Sequence, residues 1–315
     1  MSVTVRAAGR WLVPIQFLLL SVLWGVSFVA IQVGLREMPP LLFAALRYDL
    51  AGLVMLAVAV ATTTHWRPRT GREWLATGVA GGFLIAVHHA LLYLGQQHVS
   101  GAVAAVVLSL VPVLTALFAA VALPNERFDA PQYGGVVLGF AGVVAIVAPT
   151  SGTFAVGSTI GVGLVLLSAA AFAFGSVALR PLSTDLPLRS MQAWGMLIGS
   201  GLLHAVSAFR GEPVAVPLTP TSLGALAYLS LGSGVAAYLL YFDLLDRIGP
   251  SELNLVSYLQ PVVATVVSWA FLGELIDSST LAGLLAIFVG FALVKRAAIV
   301  RVVATVTPRL GIGNA

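Results

Sequence analysis

Apolar runs of about twenty residues recur along the whole chain, and no other feature narrows its folding options as much. A helix rising about 1.5 Å per residue needs ~20 such residues to cross a ~30 Å hydrocarbon core, and runs of that length read as spanning helices. Ten are predicted: Leu12–Leu35, Pro40–Ala61, Trp74–Gln96, Gly101–Leu123, Gln132–Ala148, Ser158–Arg180, Leu188–Phe209, Pro220–Phe242, Ser251–Leu272 and Thr280–Lys295. Prolines punctuate the breaks, at Pro39-Pro40, Pro124, Pro187 and Pro250, because a proline inside a helix removes a donor and clashes with the preceding turn.

Composition supports lipid as the main solvent. Only 9% of the 315 residues are charged and 59% are hydrophobic, whereas soluble domains carry roughly 25% charged residues. So few charges cannot cover a water-facing surface, and no loop is long enough to fold separately. The absence of cysteine excludes disulfide frameworks, thiolate catalysis and cysteine metal sites. The net charge of +4 reflects basic residues in short loops and reads as topology rather than nucleic-acid binding. Arg6 and Arg10 ahead of an apolar stretch imitate a signal peptide, but the stretch from Trp11 to Leu35 is too long for one, so a retained first helix is expected.

Orientation follows from the basic residues, which favour cytoplasmic loops. With a cytoplasmic N-terminus, 13 of the 16 cations fall on the inner side; Arg36 and Arg210 lie outside and Arg47 lies within a span. Both termini are therefore expected in the cytoplasm, with an even number of spans.

The chain also repeats itself. Ser109, Pro112 and Glu126 in and after the fourth span correspond to Tyr258, Pro261 and Glu274 around the ninth. Gly135 and Gly142 follow the first glutamate by 9 and 16 residues, as Gly283 and Gly290 follow the second. Trp24-Gly25 is echoed by Phe174-Gly175. Five spans per half is odd, so the second copy must enter the membrane with opposite polarity, the inverted-repeat plan of many secondary transporters. The expected architecture is an all-α integral membrane protein of two inverted five-helix repeats. Residues 12–148 form the first repeat, 149–157 an extracytoplasmic linker, 158–296 the second repeat and 297–315 a cytoplasmic tail.

These residues resemble the EamA branch of the drug/metabolite transporter superfamily. The resemblance covers nearly the whole chain and rests on Trp24-Gly25, on Pro40 leading into Phe43-Ala44-Ala45-Leu46-Arg47-Tyr48, and on the two proline-to-glutamate segments. One departure is the spacing, 14 residues from Pro112 to Glu126 against 13 from Pro261 to Glu274. The resemblance implies a ten-helix carrier with a central cavity lined by the first four helices of each half, the fifth and tenth being peripheral. It also implies transport of amino acids, nucleobases, drugs or other metabolites across the cell membrane, more often outward than inward.

Ionisable residues at membrane depth cost ~2.5–3.5 kcal/mol or more on insertion scales, so each asks for a reason. Arg47 lies about 10 Å below the outer interface. It either meets an anionic group of a substrate, or snorkels to headgroups or pairs with a helix end. Asp49 is deeper, and positions two apart lie on nearly opposite helix faces, so it does not simply neutralise Arg47. It is either a coupling or amine-binding carboxylate or a structural acid bonded to a neighbouring helix. His88 and His89 are proton-coupling candidates or packing histidines; their imidazoles point about 100° apart on an ideal helix, so at most one is expected to face a cavity squarely.

In the ninth span Asn254, Tyr258, Pro261, Thr265 and Ser268 recur on one face, with Ser109 and Pro112 as counterparts in the fourth. That face is expected to line the cavity, Pro112 and Pro261 serving as hinges; the alternative is a structural kink with hydroxyls as interhelix glue. Gln260 is a further cavity candidate that points another way. Trp24, Trp194 and Tyr238 either wall the site or simply pack. Gly135/Gly139 and Gly195/Gly199 have the small-xxx-small spacing of close helix contacts.

No serine-nucleophile, His-Glu-x-x-His or phosphate-loop motif is present, so neither an enzyme, a metal, a cofactor nor ATP hydrolysis is expected. The reading is a secondary transporter of a small-molecule substrate, with a proton or counter-solute as coupling partner and the bilayer as its surroundings; oligomeric state is not readable. An uptake permease, a channel, and a scaffold or receptor are the alternatives.

Overall fold

The computed structural model describes residues 2–123, 129–147, 156–253 and 255–296, and among them there is no β-strand. The helices are α1 (Ser2–Gly34), α2 (Pro40–Thr62), α3 (Gly71–Gln96), α4 (Gly101–Ala122), α5 (Ala130–Val147), α6 (Val156–Leu179), α7 (Leu188–Phe209), α8 (Pro220–Gly249), α9 (Val256–Leu272) and α10 (Ser278–Val294). Among the described residues six segments are long and apolar enough to cross a bilayer: Leu12–Gly34, α2, α3, α4, Gly157–Leu182 and α8. Within α5, and in α9 and α10, the apolar helices are shorter. α7 has the length but carries Arg189, Gln192, Ser200 and His204. Most of the expected 149–157 linker, the 297–315 tail, Pro124-Asn125-Glu126 and Asn254 lie outside the described residues.

Helix ends follow local chemistry. Pro40 opens α2, where a missing N–H costs nothing. No side chain of α2 caps it; instead Glu212, just beyond α7, accepts from the Leu41 and Leu42 amides at 3.2 and 2.9 Å. Thr70 and Glu73 form a capping box on α3. α8 continues past the expected Phe242 to Gly249, since nothing in between breaks a helix; Gly249 then adopts φ 79°, ψ 172°, a region open essentially to glycine.

Two helices depart from α geometry. Residues Ala80–Val87 of α3 and Tyr228–Ala236 of α8 are π-helical, the third helix of each half in both cases. α4 breaks at Ser109 and Leu110 and restarts as a helix at Val111-Pro112. Pro261, its counterpart in sequence, sits inside an uninterrupted α9.

The packing is reciprocal between the halves. α2 lies on α7 and α5 on α10. α1 packs on α9 as α4 packs on α6, and α1 contacts α8 as α3 contacts α6. The repeated glycines explain the closeness of α5 and α10. A Cβ on Gly290 would stand 2.5 Å from the Gly135 carbonyl oxygen, and one on Gly142 would stand 2.6 Å from that of Gly283. Those pairs meet only if the helices run in opposite directions. Large apolar side chains such as Val137, Val144, Val266 and Phe271 are exposed on the outside of the bundle, as a lipid-facing surface requires.

Gly283→Leu and Gly290→Leu should each destabilise the fold by roughly 1–3 kcal/mol, because a carbonyl leaves no room for the side chain. Gly134→Ala and Gly163→Ala, which meet nothing within 4 Å, should be tolerated. Thermal unfolding midpoints in detergent compare them; equal midpoints for both sets would remove the close-contact account.

Candidate functional site

A cavity of about 170 Å³ lies between the halves, walled by Trp24, Ser27, Phe28 and Ile31 of α1, Arg47 and Tyr48 of α2, His88, His89 and Leu92 of α3, Leu108 and Val111 of α4, Phe172 of α6, Tyr238 of α8, and Ser257 and Gln260 of α9. The wall is chiefly apolar and aromatic, the usual make-up of a ligand pocket. Among the described residues its one permanent charge is Arg47.

Arg47 is 4% exposed. One terminal nitrogen donates to the Tyr93 hydroxyl at 3.1 Å and the other to Ser233 Oγ at 3.0 Å. Ser233 in turn donates to the Leu229 carbonyl, and its own carbonyl accepts from Trp24 Nε1 at 3.3 Å. The Arg47 guanidinium also stands 4.9 Å from the Tyr48 ring centre. Among the described residues no carboxylate lies within 4 Å of Arg47, and its Nε–H has no partner. A guanidinium has five N–H donors, so the protein leaves part of its capacity unused beside the cavity.

The π-helical turns set this geometry. The wide turn in α8 carries Ser233 to Arg47 and Trp24, and the one in α3 delivers His88 and His89 together to the wall. Such turns are frequent at functional sites. Hydrogen-bond partners assign the histidine tautomers. His89 Nδ1–H donates to the Ile85 carbonyl at 3.0 Å, so Nε2 accepts from the Tyr48 hydroxyl at 2.6 Å. The Ser168 hydroxyl is given to the His88 carbonyl, so its oxygen accepts from His88 Nδ1–H at 2.7 Å. Nε2 of His88 remains as an acceptor with no partner among the described residues.

Several expectations gain a place and others lose one. Trp24, Arg47, His88, His89, Tyr238 and Gln260 share the cavity wall, which both histidines border. Trp24 packs against Tyr238 and Tyr241, with ring centres 5.6 and 5.5 Å apart. Tyr258 does not reach the cavity; it packs on Phe288 and Phe291 of α10. Thr265 and Ser109 are likewise away from the wall, Ser109 donating to the Val106 carbonyl at 2.6 Å. The reason is the rotation of α9: Gly25 of α1 meets Gln260 and Val263 so closely that a Cβ would stand 2.6 Å from Val263 Cβ. That contact turns Ser257 and Gln260 inward and the expected polar face aside. Trp194 stacks on Trp66 and donates to its carbonyl at 3.0 Å, and does not line the cavity.

Asp49 also lies off the cavity. It accepts from Ser200 Oγ and pairs with His204 Nε2 at 2.7 Å, both on α7, with side chains 37% and 40% exposed for Asp49 and His204. Sequence reasoning missed Ser200, His204, Ser233 and Ser168. Ser200 and His204, four apart on one helix, were the available signal for the first two.

Beyond the cavity, on the side where α1 ends and α4 begins, Gln32 donates to Glu274 Oε1 at 2.7 Å and accepts from the Gly101 amide at 2.7 Å. This joins α1 and α4 of the first half to the end of α9 in the second.

Residues 11–148 and 159–296 each match the EamA-like transporter family. The chain belongs to that family. Similar proteins include the uncharacterized inner membrane transporter YedA of Escherichia coli strain K12, 28% identical over 257 residues, 81% of each chain. The uncharacterized transporter YvbV of Bacillus subtilis strain 168 is 30% identical over 277 residues, 88% of this chain and 89% of its own. A solved crystal structure with 24% identity superposes with a TM-score of 0.63, covering 91% of this chain and 97% of the other, a likeness of fold alone. This EamA-like chain is thus a multi-pass membrane protein of a transporter family, built on two matching halves.

Ser233→Ala should leave one Arg47 nitrogen unpaired and cost roughly 1–3 kcal/mol. A melting midpoint unchanged from wild type would mean that Ser233 contributes nothing to holding Arg47.

Proposed function

We propose that this chain is a secondary transporter of the cytoplasmic membrane that exports a small metabolite by alternating access, with ten spanning helices in two inverted halves and both termini inside. The single observation that carries the reading is the cavity between the halves, lined by Trp24, Arg47, His88, His89, Tyr238 and Gln260 and holding a buried, partly unpaired cation. The reciprocal packing of the helices and the antiparallel glycine contacts of α5 and α10 support the inverted plan. Outward direction rests on the family resemblance. Gln32, Gly101 and Glu274 act as an outer latch between the halves, broken when the cavity opens outward.

The chain has no cysteine, so Gln32→Cys/Glu274→Cys carries the only two thiols. Bridging them with a short bis-methanethiosulfonate should halt counterflow in proteoliposomes, and reduction should restore it. Full transport by the bridged protein would rule out opening between α1 and α9.

Exchange of protons or of a counter-solute supplies the energy. His88 and His89 on the wall, and Asp49 with its partner His204, are the titratable candidates. Asp49→Asn should abolish the dependence of transport on an imposed pH gradient while leaving counterflow intact. Unchanged pH-gradient dependence would take Asp49 out of the coupling role and leave it a structural tie between α2 and α7.

A further inference from the structure

A fixed positive charge in a small, mostly apolar cavity selects its occupant by charge before shape. Arg47 is buried, and its terminal nitrogens donate one N–H each to Tyr93 and Ser233, so each keeps a second N–H; the Nε–H, itself shut off from the cavity, has no partner among the described residues. These two anchors fix the guanidinium plane, so binding a partner there costs little further ordering. Planar forks of N–H donors match the two oxygens of a carboxylate, and such charge-assisted bonds are roughly twice as strong as neutral ones.

The rest of the wall argues against a second charge on the same molecule. No carboxylate lines the cavity among the described residues, so an ammonium group would find no anionic partner there. It would also feel Arg47 at short range in a low-dielectric interior, where like-charge repulsion is strong. Trp24, Phe28, Phe172 and Tyr238 instead present ring and apolar surface, which suits a flat hydrophobic body. Among the described residues, polar groups on the wall without a partner include His88 Nε2, the Ser257 hydroxyl and the Gln260 amide, which accept or donate neutral hydrogen bonds.

We infer that the substrate is a small aromatic monocarboxylate that carries no cationic group, its carboxylate docked on Arg47 and its ring against Trp24 and Tyr238. This deepens the transporter reading above and rests on it. It separates the substrate from zwitterions of the same size and shape, which the cavity residues do not accommodate as a net-neutral pair of charges.

The test uses purified full-length protein and ligand sets that share one ring and differ only in charge. Indole-3-acetate, indole-3-acetamide, tryptamine and tryptophan form one set; phenylacetate, phenylacetamide, phenethylamine and phenylalanine form another. Binding is read by thermal stabilisation and by quenching of tryptophan fluorescence for the phenyl set, and transport by counterflow in proteoliposomes. The carboxylates should bind roughly ten- to a hundredfold more tightly than their amides, the span expected for hydrogen bonds to a charged group. Amines should not bind, and the zwitterions should bind no better than the amides. Arg47→Lys should keep weak carboxylate binding and Arg47→Gln should lose the preference over the amide. If Arg47→Gln does not fold, the wild-type ranking still decides.

Zwitterions or amines that match or exceed the carboxylates would overturn the assignment, as would no binding by either carboxylate. Carboxylate binding without counterflow of any ligand would keep the substrate class and sink the transporter reading. Counterflow of another class alone would do the reverse.

Discussion

A guanidinium buried in an apolar bundle must be held, because an unpaired charge at membrane depth is costly. Arg47 is held from both halves at once: Tyr93 belongs to α3 of the first half and Ser233 to α8 of the second. Trp24 of α1 fastens to the same Ser233. The two halves therefore meet around one cation, and the cavity forms where that cation is only partly satisfied. Neither half could build this arrangement alone.

Around that centre the close contacts are made by small residues. Lipid tails are as apolar as leucine, so hydrophobicity does not drive one membrane helix onto another, and close backbone approach has to do the work. Gly25 brings α1 against Gln260 and Val263, and Gly199 and Gly81 bring α7 and α3 together. On the periphery Gly135, Gly142, Gly283 and Gly290 clasp α5 to α10. Polar ties at the helix ends, such as Glu212 on the α2 amides and Gln32 on Glu274, then close the structure without adding charge to its middle.

The two π-helical turns are the local irregularity that the site needs. The wide turn in α3 ends at Val87 and sets the rotation of the segment that follows it, so that His88 and His89, still about 100° apart, both border the cavity. A regular α8 would move Ser233 relative to Arg47. Periodicity gives angles within a regular helix but not its rotation, so it placed Tyr258 and Thr265 on the wall, whereas the rotation of α9 against Gly25 put Ser257 there beside the expected Gln260. Asp49 illustrates a different gap. Its distance from Arg47 on the helix surface was legible, but its partners Ser200 and His204 come from a segment 151 and 155 residues away.

By itself the sequence determined that the chain is helical and embedded in membrane, since long apolar runs with 9% charge admit little else. It also determined that the chain is built of two related halves, because the glycine and proline spacings recur, and that Arg47 is the buried cation demanding an explanation. Only the tertiary structure decided which faces of α8 and α9 meet that cation, that Asp49 turns away to His204, and that the proline of α4 follows a break while that of α9 does not. The physical reason is that spacing along one helix fixes relative angles within it. The rotation of each helix about its own axis is set by the glycines, hydroxyls and rings of the helices packed against it.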